Sequence, residues 1–62
     1  MFSQQQQLLD DFIYSYGSDK ASSFCLTQIA QLKIKRENSK AILYDSITKE
    51  IKWWDNKRIE LA

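Results

Sequence analysis

The sequence predicts a small α+β domain, in which an N-terminal helix packs on a three- to four-stranded antiparallel meander. Up to position 16, apolar residues recur at helical spacing, whereas after position 30 they alternate with polar residues in short segments. Alternating segments separated by polar stretches are typical of strands joined by hairpins. A chain of 62 residues supports one domain, 1–62. The helix is therefore the element available to cover one face of the sheet.

The helix is predicted over residues 3–16. Ser3 suits the N-cap position, and Gly17, the only glycine of the chain, suits the left-handed residue that follows a helix. Between them lies one apolar stripe at helical spacing, formed by Leu8, Leu9, Phe12, Ile13 and Tyr16.

Strands are predicted from alternation and from the turn-forming residues between them. In the first strand, 30–36, Leu32 and Ile34 alternate with Lys33 and Lys35. Further strands are expected at 41–44, 51–54 and 57–61, joined by a turn at 37–40, a hairpin loop at 45–50 and a two-residue turn at 55–56.

The sequence does not decide whether residues 22–29 form a strand or a helix. A helix over 19–31 competes with the strand interpretation, because Ala21, Cys25, Ile29 and Leu32 share one helical face.

A second fold is also considered. The segment Leu26–Leu32, followed by Ser39–Leu43, resembles a helix-turn-helix of the small repressor type, although Lys33 stands where that motif has its turn glycine. With residues 45–61 as a wing, the resemblance implies a minimal winged helix-turn-helix that reads the major groove.

The composition argues against catalysis and against a bound cofactor or metal. Histidine, the commonest general base, is absent, and Cys25 is the only cysteine. One cysteine forms neither an intrachain disulfide nor a structural zinc site, and one glycine does not build a phosphate-binding loop. Asp10 and Asp11 are neighbours on the predicted helix and point about 100° apart, so they are not a carboxylate dyad. We predict a non-enzymatic protein without a cofactor, in which Cys25 fills the core.

Location and charge narrow the class of partner. The sequence contains no signal peptide and no apolar run of membrane-spanning length, so a cytoplasmic protein without a membrane partner is expected. The net charge is +1, but residues 1–31 carry one lysine against three aspartates, and residues 32–62 carry eight cations against five carboxylates. The second half is therefore the basic half.

Alternation along the predicted strands suggests a binding surface. If Trp53 points towards the helix, Trp54 points to the open face of the sheet. The candidate partner-binding residues on that face are Lys33, Lys35, Tyr44, Lys52, Trp54 and Arg58, with Tyr44 included in one of the two registers. Exposed aromatic residues beside cations predict a protein-interaction module with an acidic protein partner. Nucleic acid is the alternative partner, since bases stack on rings while cations follow phosphates, but a net charge of +1 is low for that role. The sequence does not decide whether the protein associates with a second copy of itself.

Overall fold

The computed structural model describes residues 3–61, and they form three helices. Helix α1 spans Ser3–Tyr16, helix α2 spans Ala21–Glu37 and helix α3 spans Ala41–Leu61. None of the residues 3–61 is in a β-strand. The predicted α+β fold with an antiparallel sheet is therefore wrong. The winged helix-turn-helix is wrong as well, because residues 45–61 lie in α3 and form no wing.

The helix predicted over 3–16 is confirmed, and Gly17 ends it as expected. Gly17 has a φ of 91°, a backbone conformation that residues with a Cβ atom rarely adopt. Its N–H donates to the carbonyl of Ile13 at 2.8 Å. The apolar stripe is narrower than predicted. Leu9 is buried and Phe12 and Ile13 are half-buried, but Leu8 and Tyr16 are largely exposed.

Helix α2 replaces the first predicted strand, and the competing helical interpretation of residues 19–31 was the better one. Ala21, Cys25 and Ile29 are buried, and Leu32 packs against them, so the core of α2 follows a helical period. The alternation of Leu32, Lys33, Ile34 and Lys35 covers only four residues. It is too short to distinguish the two-residue period of a strand from the 3.6-residue period of a helix.

Helix α3 replaces the other three predicted strands. The hairpin loop expected at 45–50 and the turn expected at 55–56 both lie inside this helix of 21 residues. Neither segment contains glycine or proline, and the chain after Gly17 contains neither residue type. Tight hairpins depend on residues that tolerate positive φ, whereas an uninterrupted helix does not.

Helices α2 and α3 form an antiparallel helical hairpin joined by Asn38–Lys40. The α2 carbonyls at the turn are capped by side chains: Ser39 Oγ donates to the Lys35 carbonyl at 2.6 Å and Asn38 Nδ2 to the Ile34 carbonyl at 3.1 Å. These bonds satisfy acceptors that the end of a helix leaves free, so they stabilise the point at which α2 stops.

The core lies where α1 crosses the helical hairpin. Its buried members are Leu9 from α1, Trp54 from α3, and Ala21, Cys25 and Ile29 from α2. Helix α1 packs mainly on α2, and no Cα atom of α1 lies within 8 Å of a Cα atom of α3 in the described chain. Trp54 of α3 and Leu9 of α1 nevertheless belong to the same buried cluster, so the long side chain of Trp54 extends from α3 towards α1.

Candidate functional site

The six residues predicted to bind a partner do not share one face in the structure. Two residues that are two positions apart point to the same side of a strand but about 200° apart on a helix. Lys33 and Lys35 are both exposed, yet they lie on different sides of α2. Lys52 is exposed, whereas Trp54 on the same helix points into the core.

Trp54 is the main correction to the predicted site. Its side chain is 2% exposed, so the expectation of an exposed ring is wrong. The Trp54 ring makes edge contacts with Phe24, at 5.7 Å between ring centroids, and with Trp53 at 4.9 Å. Trp53, expected to point inward, is half-buried at the margin of the core, with Lys57 Nζ 5.4 Å from its ring centre. The two tryptophans differ in burial as predicted, but in the opposite order.

Arg58 and Tyr44 each interact with another side chain of the same molecule. Arg58 Nε and Nη2 both donate to Asp55 Oδ1, at 3.1 and 2.9 Å, which makes a salt bridge along α3. Tyr44 is half exposed, and the guanidinium of Arg36 lies 4.9 Å above the centre of its ring. Arg36 Nη1 also donates to Thr48 Oγ1 at 3.2 Å, so this arginine ties α2 to α3.

A different surface stands out at the closed end of the helical hairpin. We define the hairpin end as residues 33–44, which comprise the end of α2, the turn and the start of α3. Of the nine large apolar side chains that are exposed in the described chain, four lie in this segment: Ile34, Ile42, Leu43 and Tyr44. Ile42 is 84% exposed and Ile34 62%. All four lie within about one helical turn of Asn38–Lys40.

The hairpin end is also strongly basic. It contains four cations, Lys33, Lys35, Arg36 and Lys40, and one carboxylate, Glu37, while Asp45 follows directly. Among residues 3–61, the salt bridges join Lys57 to Glu60 and Arg58 to Asp55, so no described carboxylate pairs with the three lysines of the hairpin end. Exposed aliphatic side chains beside unpaired cations can bind a partner that is both apolar and acidic.

A cleft lies between α1 and the helical hairpin, with Trp54 at its inner wall. Its volume is about 660 Å³, and its lining includes Gln5, Leu8, Gln28, Leu32, Lys49 and Glu50. Gln5 Nε2 is buried without a hydrogen-bond partner in the described structure. A buried donor that stays without a partner costs about 1–3 kcal/mol.

The residues that could bind a metal or act as a nucleophile were located in the described chain. In residues 3–61, no group of three or more His, Cys, Asp or Glu residues is placed to hold a metal ion. Cys25 is completely buried, and this burial raises the pKa of its thiol above the ordinary value, an effect that the nearby charge of Arg58 only partly opposes. Burial and a protonated thiol both suit a packing role.

The fold defines a small three-helix protein with an exposed apolar and basic surface at one end. Comparison with protein-family models, with curated proteins and with solved structures found no match for this chain. In the part of the chain that the structure describes, no helix is both long enough and apolar enough to cross a membrane.

Proposed function

We propose that this protein is a non-enzymatic protein-interaction module and that the hairpin end binds an acidic, partly apolar segment of a partner protein. The observation that carries the proposal is the concentration of exposed aliphatic side chains in the same segment as three lysines that lack an ion-pair partner in the described chain. Covering such side chains with a partner is favourable, by roughly 25 cal/mol for each Å² of apolar area removed from water.

The chemistry of the surface favours a protein over a nucleic acid. Single-stranded nucleic acids bind mainly by stacking bases on aromatic rings. The hairpin end offers one ring, Tyr44, and the Arg36 guanidinium already covers one face of it. Ile34, Ile42 and Leu43 are instead suited to aliphatic or aromatic side chains of a protein, while Lys33, Lys35 and Lys40 favour carboxylates around them.

The test uses two labelled probes of defined chemistry, followed by fluorescence anisotropy. One is a short helical peptide with leucines on one face and glutamates beside them, and the other is a short oligothymidylate. We expect the wild-type protein to bind the peptide and Ile42→Ser to weaken binding at least about tenfold, the loss typical of a central apolar contact. Ile59→Ser is the matched control, because Ile59 is also exposed but lies at the far end of α3.

Three results would overturn the proposal. The first is peptide binding that is equally weak in all proteins, and the second is equal loss in Ile42→Ser and Ile59→Ser. The third is preferential binding of the oligothymidylate that falls steeply with salt, which would assign the surface to nucleic acid.

A further inference from the structure

Tyr14 and its neighbours on α1 form a second exposed surface, of opposite charge to the hairpin end. Tyr14 is 94% exposed, the highest value among the large apolar side chains of the described chain. Asp10 and Asp11 precede it by four and three positions, so all three side chains lie together on the outer side of α1. Both aspartates are exposed. We call Asp10, Asp11 and Tyr14 the acidic face.

We infer that a second copy of this chain is a partner of the hairpin end and docks there through its acidic face. This inference rests on the proposed function and names one occupant of the same surface. Tyr14 would pack on the exposed aliphatic side chains at the start of α3, Ile42 and Leu43, and the two carboxylates would meet lysines of the hairpin end that have no ion-pair partner in the described chain. Tyrosine is one of the residue types most often responsible for binding energy at protein interfaces.

The two surfaces do not meet within one molecule. The cleft is lined by Ser3 of α1 and Leu32 of α2, so the start of α1 lies nearest the hairpin end. Asp11 is eight residues further along α1, which places it about 12 Å further from the hairpin end than Ser3. Accordingly, no salt bridge joins Asp10 or Asp11 to a lysine in residues 3–61. Pairing of these charges therefore requires another molecule.

The overall charge favours such an approach. A net charge of +1 and an isoelectric point near 7.8 mean that two copies repel each other only weakly near neutral pH. The charges are nevertheless segregated, with the excess of carboxylates in the first half of the chain and the excess of cations in the second. Two copies attract each other when the acidic face of one approaches the hairpin end of the other.

The test is the mass of the full chain in solution by sedimentation equilibrium, over a range of concentrations at low and high salt. We expect wild-type association that weakens as salt screens the charges. Asp10→Lys with Asp11→Lys should raise the dissociation constant at least about tenfold, and so should Lys33→Glu with Lys40→Glu. The matched control is Lys49→Glu with Lys52→Glu, which alters the same number of exposed lysines outside the hairpin end and should associate like wild type.

A mixture of the two charge-reversed proteins tests the pairing directly. Each protein alone carries two surfaces of like charge, but the mixture again offers opposite surfaces and should associate. Tyr14→Ser should also weaken association about tenfold or more, whereas Ile59→Ser should not. Failure of the mixture to associate, or equal effects of Tyr14→Ser and Ile59→Ser, would refute the acidic face as the docking surface.

The same variants separate this inference from the proposed function. Tyr14→Ser leaves the hairpin end intact, so it should bind the acidic peptide like wild type while losing self-association. A wild-type protein that binds the peptide but stays monomeric at every concentration would overturn the second-copy inference and leave the proposed function standing. A protein that neither binds the peptide nor self-associates would overturn both.

Discussion

Replacement of Trp54 by alanine is the most direct test of how this chain folds. Trp54 is the largest fully buried side chain of the described structure and the α3 member of the buried core. Removing a buried tryptophan side chain typically costs about 3–5 kcal/mol, part of it from the cavity left behind. The two edge contacts, with Phe24 and Trp53, place the expected value near the upper end of that range.

The magnitude is large relative to the stability that a chain of this length achieves. At roughly 0.05–0.15 kcal/mol per residue, 62 residues correspond to a free energy of unfolding of about 3–9 kcal/mol. Trp54→Ala should therefore remove half or more of the stability. In a domain of this size each kcal/mol corresponds to about 4–8 °C in melting temperature, so a cost near 5 kcal/mol lowers the melting temperature by about 20 °C or more.

The assay is thermal and urea unfolding followed by circular dichroism, with Trp53→Ala as the matched control. Because Trp53 is only half-buried, Trp53→Ala removes less apolar area from the core and should cost less. In proteins that keep one tryptophan, after Trp53→Phe or Trp54→Phe, acrylamide should quench Trp53 more strongly than Trp54. A larger cost for Trp53→Ala, or stronger quenching of Trp54, would refute the packing of Trp54 in the core.

Two further predictions concern α1. Gly17→Ala should lower the free energy of unfolding by about 1 kcal/mol or more, because φ is 91° and residues with a Cβ rarely adopt that conformation. Urea unfolding measures this loss, and Ser18→Ala, in the same exposed connection, should change stability little; equal effects would contradict the role of Gly17. Gln5→Leu should raise stability by about 1 kcal/mol, because it removes a buried donor without a partner in the described structure. The exposed Gln7→Leu serves as its control in the same measurement, and no gain for Gln5→Leu would show that Gln5 is satisfied in solution.

Local signals were sufficient for the first helix. The spacing of Leu9, Phe12 and Ile13 and the position of Gly17 depend on the chain's own periodicity and on the conformational freedom of one residue. Neither property depends on what α1 packs against. The bounds 3–16 and the stop at Gly17 were accordingly predicted from sequence.

The rest of the fold was misread because short alternating segments are ambiguous. Leu32 and Ile34 alternate with lysines as in a strand, and Ala21, Cys25 and Ile29 recur as in a helix. One signal favoured the helix: the chain after Gly17 contains no glycine or proline, although the predicted meander required several tight turns. Strong helix formers such as Leu, Gln, Lys, Arg and Glu also occupy much of α2.

The predicted binding residues do not share a face because they were placed with the two-residue period of a strand, whereas the chain there is helical. The predicted sheet placed Lys52, Trp54 and Arg58 on one face, whereas on α3 Trp54 is buried, Lys52 is exposed and Arg58 forms a salt bridge with Asp55. Lys33 and Lys35 were correctly expected to be exposed, but they do not face the same way. Ile34 and Ile42 were missed altogether, since nothing in the local sequence shows that two large aliphatic residues stay uncovered.

By itself, the sequence determined the first helix and its glycine stop, the segregation of charge between the two halves and the residue types available for chemistry. The tertiary structure decided which apolar residues are covered. A helix buries only the side that another helix contacts, and the buried core joins α1 to residues 21–29 of α2, outside the hairpin end. Ile34, Ile42 and Leu43 therefore remain exposed beside the lysines, while Trp54 is covered by residues distant in sequence.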